Sequence, residues 1–154
     1  METTLRKLRE VGFSLIEFLI VIAVIAILVG IAAPNYLRWR ATTITAEAAQ
    51  QFARDVDRLR TEAKRENLKK KVAVPTSEGT SYDIIDVESG DTRTVSLPGG
   101  TIIAPLGAST EFTFSPPYGT TDAPLRSFEV RWIADPDIKR TVRVVGVTGK
   151  VIVQ

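Results

Sequence analysis

Glu17 is the only charged side chain in the 21 residues from Phe13 to Ala33, a run that is otherwise almost wholly apolar. An ionisable group at the centre of a membrane-length apolar segment costs about 2.5–3.5 kcal/mol to insert and usually marks function. Glu17 lies near the start of the run, which lowers this cost. The carboxylate can extend to lipid headgroups, or it can accept hydrogen bonds at the start of its own helix, where the macrodipole favours negative charge. Either way, the chemistry predicted for Glu17 is charge compensation.

Catalytic and metal-binding chemistry find little support elsewhere in the sequence. The chain has no histidine and no cysteine, and no Gly-rich phosphate loop lies between a strand and a helix. Four carboxylates alternate near a glycine, but their spacing does not match an EF-hand calcium loop: Asp83, Asp86, Glu88 and Asp91. Exposed turn carboxylates explain this group, so we expect no enzymatic activity, no metal and no cofactor.

The apolar run is the first of the elements that must position Glu17. A helix of 21 residues rises about 31 Å, close to the hydrocarbon thickness of a bilayer. Basic residues flank it on both sides, which biases the N-terminus only weakly toward the cytoplasm: Arg6, Lys7 and Arg9 before it, Arg38 and Arg40 after it. A cleaved secretory signal is the main alternative, but its apolar region would be shorter, and cleavage after Ala33 would require a small residue at Ile31. The pattern favours a membrane-spanning helix.

An amphipathic segment follows the apolar run. Apolar residues recur at spacings of three and four with charged residues between them: Ala49, Phe52, Ala53, Val56, Leu59 and Ala63. The pattern predicts a helix to about Asn67, continuous with the apolar run in one rod of about 50 residues. Gly30 and Pro34 weaken helices, so we expect a kink or a locally melted segment at residues 30–34.

The rest of the chain predicts a β-rich head that covers the apolar stripe of the helix. Short runs with period-two alternation read as strands: 72–74, 81–85, 92–97, 101–103, 111–114, 128–132, 141–145 and 150–153. Thr148-Gly149 predicts a hairpin turn between the last two. The fold class is therefore α+β, with a long N-terminal helix packed against a small antiparallel β-sheet or sandwich.

The N-terminus resembles a known family. The string Val11-Gly12-Phe13-Ser14-Leu15-Ile16-Glu17, with a basic leader before it and an apolar helix and Pro34 after it, is similar to the class III signal of type IV pilins and type II secretion pseudopilins. The resemblance implies that a membrane prepilin peptidase cleaves between Gly12 and Phe13 and that Phe13 is then N-methylated. The chain would divide into a leader (1–12), a transmembrane assembly helix (13–34), an amphipathic helix (35–71) and a β head (72–154).

The resemblance also implies a role for Glu17 and a set of partners. Glu17 would neutralise the new amino group of a neighbouring subunit's Phe13 during assembly, while Pro34 matches the family's usual proline. The partners would be other pilin or pseudopilin subunits, the prepilin peptidase, the inner-membrane assembly platform and membrane lipid. The protein would be a single-pass inner-membrane protein with a periplasmic head, and later part of a pilus or a pseudopilus.

The C-terminal pattern resembles GspH/FimT-type minor pseudopilins, some of which bind DNA during natural transformation. Those DNA-binding members carry Gly-Arg-x-Arg in a basic tail, whereas this chain has Gly149-Lys150-Val151-Ile152, so the second basic position is lost. Residues 72–154 hold seven basic and ten acidic side chains, which argues against a basic module as a whole. Arg140, Arg143 and Lys150 remain the candidate DNA contacts if they meet across the last hairpin. A structural filament subunit is the main hypothesis, and DNA uptake is the alternative.

Overall fold

The computed structural model describes residues 14–122 and 125–154. One helix, α1, spans Leu15–Glu66, and nine strands follow it: β1 Lys70–Ala73, β2 Ser81–Asp86, β3 Thr92–Ser96, β4 Thr101–Pro105, β5 Glu111–Ser115, β6 Thr120–Thr121, β7 Leu125–Trp132, β8 Asp135–Val145 and β9 Lys150–Val153. The chain divides into two compact units, Met1–Arg38 and Trp39–Gln154. The second unit, which we call the head unit, contains the last part of α1 and all of the strands.

Helix α1 continues through Gly30 and Pro34, so the locally melted segment expected at residues 30–34 is not present. Pro34 cannot donate the backbone hydrogen bond that would reach the carbonyl of Gly30, yet this removes a single bond from a 52-residue helix. The helix ends at Glu66, close to the predicted Asn67. Asn67 itself has a φ of 56°, the left-handed conformation that commonly terminates helices.

The strands form two antiparallel sheets. Sheet A has the order β3-β2-β1-β5-β6, and sheet B has the order β4-β7-β8-β9. A bridge between Gly79 and Ile103 connects the sheets at one place. A second connection is the hydrogen bond from the N–H of Thr121 in β6 to the carbonyl of Val147, which follows β8, at 2.9 Å. These two connections involve the outer strands β4 and β6. The other outer strand of each sheet, β3 in sheet A and β9 in sheet B, has an open edge.

The amphipathic part of α1 packs its apolar face on both sheets. The predicted stripe is confirmed, because Phe52, Val56, Leu59 and Ala63 are fully buried and belong to a single hydrophobic core. Phe52 lies at the centre of this core, with its ring centroid 4.9 Å from that of Tyr82 in sheet A and 5.3 Å from that of Phe128 in sheet B. The helix thus supplies the surface on which both sheets close.

All eight predicted strands are present, but two features of the head were not predicted. The two-residue strand β6 is too short to show period-two alternation. Strand β8 begins at Asp135, earlier than the predicted start at Thr141. The earlier part was missed because its Pro and Asp residues interrupt the alternating pattern of a strand. The predicted hairpin is confirmed as a four-residue turn over 146–149, in which Gly149 has a φ of 65° and its N–H donates to the Gly146 carbonyl at 3.0 Å.

Candidate assembly site and head surface

Glu17 caps the start of α1. Its Oε2 accepts a hydrogen bond from the backbone N–H of Ser14 at 3.2 Å, and the Ser14 carbonyl accepts the first helical bond from the N–H of Phe18 at 3.2 Å. Ser14 is therefore the N-cap, and Glu17 is the third helical residue, which corresponds to the glutamate half of a capping box. The S-x-x-E spacing could have predicted this contact, so the local explanation of Glu17 is present in the structure.

The helix beyond Glu17 exposes an apolar surface on every side. An 18-residue window of α1 is long and apolar enough to cross a membrane, and none of it is buried. Phe18, Leu19, Leu28 and Ile31, for example, are each more than half exposed. Exposed apolar surface of this extent marks a site of contact with lipid or with other proteins.

The predicted cleavage pair, Gly12 and Phe13, lies outside the described residues, as do Arg6, Lys7 and Arg9. Pro34 lies within α1. Among the described residues, only Ser14 forms a hydrogen bond with the Glu17 carboxylate.

A three-residue ion cluster fixes the end of α1 to sheet A. The ammonium of Lys70, which is nearly buried, lies 2.8 Å from a Glu66 oxygen and 2.7 Å from an Asp86 oxygen. Asp86 also accepts the N–H groups of Glu88 and Ser89 in the turn after β2. Hydrogen bonds from Lys70 lower the pKa of both carboxyls, and hydrogen bonds to Asp86 and Glu66 raise the pKa of Lys70. Asp86, one of the four alternating carboxylates, therefore has a structural role as the ion-pair partner of Lys70.

The candidate DNA contacts do not all meet. Arg143 pairs with Ile152, and Lys150 pairs with Val145, so Arg143 and Lys150 share one face of the β8–β9 ladder as diagonal neighbours. Arg140 pairs with the buried Val130. It is three residues from Arg143, so strand alternation puts it on the opposite face. The structure brings Arg143 and Lys150 together and separates Arg140 from them.

Comparison with solved structures identifies the fold. Two crystal structures of the type IV minor pilin FimU from Pseudomonas aeruginosa PAO1 match the chain. One has a TM-score of 0.57 at 18% sequence identity and covers 71% of this chain and 91% of FimU. The other has a TM-score of 0.53 at 17% identity and covers 79% and 91%. The chain has the fold of a type IV minor pilin. No protein-family model matches the sequence, and no curated protein matches it.

The pilin fold agrees with the arrangement of the described elements. An N-terminal apolar helix and antiparallel sheets packed on its amphipathic continuation are the α+β architecture predicted from the sequence. At 17–18% sequence identity, the similarity to FimU shows a shared fold and no more. The roles of Glu17, Arg143 and Lys150 therefore rest on their geometry in this chain.

Proposed function

We propose that the protein is a structural pilin subunit, anchored in the inner membrane by α1 and assembled with other pilin subunits into a filament. The observation that carries this proposal is the combination of a pilin-fold head with a membrane-length apolar helix whose side chains are all exposed. Such a helix requires lipid before assembly and neighbouring apolar helices after it. Resemblance of the C-terminal half to GspH/FimT proteins favours a minor subunit of a type IV pilus or of a type II secretion pseudopilus, with a periplasmic head.

Maturation is part of the proposal. Cleavage between Gly12 and Phe13 by prepilin peptidase would leave a chain of 142 residues with N-methylated Phe13 at its start. Glu17 Oε2 accepts from the N–H of Ser14, the residue that follows Phe13, so the carboxylate lies next to the place where the new amine would form. The same carboxylate would then compensate the amine of a neighbouring subunit as it enters the filament through the assembly platform.

The proposal is tested by intact mass and N-terminal sequencing of the full chain, produced with and without a prepilin peptidase. We expect a chain that starts at Phe13 with one added methyl group only when the peptidase is present. A Gly12→Val variant should remain uncut, whereas a Gly30→Ala variant should be processed normally, because an added Cβ at Gly30 meets no atom within 4 Å. A wild-type chain that stays uncut, or is cut elsewhere, would contradict the proposal.

DNA capture on the filament is a second candidate function, and one observation favours it. Arg143 and Lys150 lie on one face of sheet B, and neither forms an ion pair with a described carboxylate. Two other cations on this face, Arg131 and Lys139, are already paired, with Glu78 and Glu129 respectively. The free charge available to phosphates is therefore small, and any binding should weaken steeply with salt.

Duplex DNA binding by the detergent-solubilised full chain separates the two functions. A receptor should shift DNA at low salt and lose the shift in an Arg143→Ala/Lys150→Ala variant. Arg140→Ala is the matched control, because it removes a cation from the opposite face of the same strand. A purely structural subunit gives no shift that depends on Arg143 and Lys150.

A further inference from the structure

The open edge of strand β9 has backbone groups for which no described residue supplies a hydrogen-bond partner. The N–H groups of Thr141 and Gln154 each donate to the other residue's carbonyl at 2.9 Å. In an antiparallel ladder such pairs alternate with non-bonded pairs, so residues 150, 152 and 154 bond to β8. The N–H and C=O groups of Val151 and Val153 therefore point away from β8, and no described strand pairs with that edge.

A basic cleft runs along this edge. It has a volume of about 290 Å³ and is lined by Arg54, Asp57 and Arg60 of α1 together with Lys150 and Val151 of β9. Three cations thus face one carboxylate. The Nε of Arg60 is buried and has no hydrogen-bond acceptor among the described residues. An unpaired buried donor is unfavourable. Asp57 lies 3.8 Å from the Arg60 guanidinium, and the cleft as a whole keeps a net positive charge.

The edge of the other sheet has the complementary character. The N–H of Leu97 donates to the Thr80 carbonyl and that of Asp86 to the Asp91 carbonyl, so odd-numbered residues of β3 bond to β2. Thr92, Thr94 and Ser96 thus turn their backbone groups to the open side. The Ser96 carbonyl is covered by the side chain of Gln51 at 3.2 Å, whereas Thr92 and Thr94 are exposed.

Carboxylates surround this second edge. Glu88 and Asp91 are exposed in the β2–β3 turn and Asp83 lies on β2. The cations near them are Arg93 and the exposed Lys69, whose carbonyl accepts the N–H of Val87, so three carboxylates face two cations. Asp86 is not counted among the carboxylates of this edge, because it already forms an ion pair with Lys70.

We propose that the β9 edge and its basic cleft bind the β3 edge of a second copy of this chain. The added strand would bond to the outward groups of Val151 and Val153, as in β-strand addition, while the acidic β2–β3 turn would approach Arg54, Arg60 and Lys150. Because the two contact surfaces differ, the contact is heterologous: one copy keeps its free β3 edge, and the other keeps its free β9 edge. Such a contact can repeat along a row of subunits, which deepens the filament role proposed above.

Disulfide cross-linking tests the contact, because the chain has no native cysteine. Two differently tagged copies of the full chain are reconstituted in phospholipid vesicles, one with cysteine at Thr92 or Thr94 and the other with cysteine at Val151 or Val153. Paired strands bring opposite Cα atoms to about 4.5–5.5 Å, within the range that a disulfide bridges. We expect mild oxidation to give a dimer of the two tags for at least one pair. A Thr141→Cys copy, whose cysteine lies in the interior strand β8, should give none.

Charge reversal provides the second arm. Arg54→Glu with Lys150→Glu should lower cross-linking about tenfold, the change that corresponds to 1.4 kcal/mol. When the copy that offers β9 carries Arg54→Glu and Lys150→Glu, cross-linking should be restored if the copy that offers β3 carries Glu88→Lys and Asp91→Lys. Edge pairs that react no faster than the Thr141→Cys control, or charge reversal without effect, would overturn the inference. The vesicles contain no peptidase or assembly platform, so failure here is distinct from failure of maturation at Gly12.

Discussion

At the scale of the residue, Glu17 has one contact in the isolated chain and a second one proposed in the filament. Glutamine is the substitution that separates them, because its amide oxygen can still accept from the Ser14 N–H and glutamine also serves in capping boxes. We therefore expect Glu17→Gln to insert and be processed normally but to be absent from sheared filaments.

Quantitative blotting of filament and membrane fractions measures this effect. Removing one partner of a buried charge pair typically costs about 3–5 kcal/mol, which would reduce incorporation by at least a hundredfold. A Ser14→Ala variant is the matched control, since it keeps the carboxylate and the Ser14 backbone donor. If Glu17→Gln enters filaments as well as wild type, charge compensation is not the role of Glu17.

The Lys70 cluster makes a residue-scale prediction about pH. The pKa values of Glu66 and Asp86 are lowered in the folded chain by Lys70, so their contribution to stability is present above the unfolded values of about 4.3 and 3.9 and is lost as pH falls through the lower folded values. The pKa of Lys70 is raised, so its contribution is complete at neutral pH and is lost only as pH rises through that folded value.

Denaturation of the head in urea, followed by near-UV circular dichroism from pH 7 to pH 3, tests this prediction. The loss of stability on acidification should be smaller in Lys70→Met than in wild type. Some loss should persist, because the N–H groups of Glu88 and Ser89 also lower the pKa of Asp86. Lys71→Met, which removes a more exposed pair with Glu111, should retain the wild-type pH dependence. Equal pH dependence in wild type and Lys70→Met would refute the assignment.

At the scale of the element, the turn over 146–149 distinguishes backbone conformation from packing. Gly146 and Gly149 have φ values of 71° and 65°, so alanine at either position incurs the left-handed penalty of about 1–2 kcal/mol. A Cβ at Gly149 would lie 2.6 Å from Phe114 Cε1, whereas a Cβ at Gly146 would come no closer than 3.8 Å to Thr148 Oγ1. Gly149→Ala should therefore lower the free energy of unfolding by more than Gly146→Ala. Equal urea midpoints for the two variants would contradict this account of the turn.

The same turn illustrates what local sequence predicts. Glycine after Thr148 and alternation on either side are local signals, and both the hairpin and its strands were predicted from them. The order of strands was not predicted, because the paired residues of β1 and β5 are 38 to 44 positions apart, and no local pattern specifies such a partner. Arg140 shows the related limit for the site: it was expected to meet Arg143 and Lys150 across the last hairpin, whereas strand alternation puts it on the opposite face of β8.

At the scale of the whole molecule, the burial pattern predicts where folding stability resides. Every buried residue of α1 lies between Ala41 and Ala63, and the core that joins them to both sheets lies entirely in the unit Trp39–Gln154. The apolar window of α1 contributes no buried residue. The head unit has 116 residues, a size at which a single hydrophobic core supports independent folding.

A fragment that starts at Trp39 should therefore fold in water without detergent and unfold cooperatively on heating, whereas the full chain should sediment with membranes. Leu59→Ala in the fragment should cost about 2–5 kcal/mol, because Leu59 is fully buried. Leu28→Ala in the full chain should leave the melting temperature of the head unchanged, because Leu28 is exposed and lies outside the head unit. Circular dichroism melting and flotation measure both effects. An aggregated fragment, or a head destabilised by Leu28→Ala, would mean that the apolar segment stabilises the head, and the division between a membrane anchor and an independent head would be wrong.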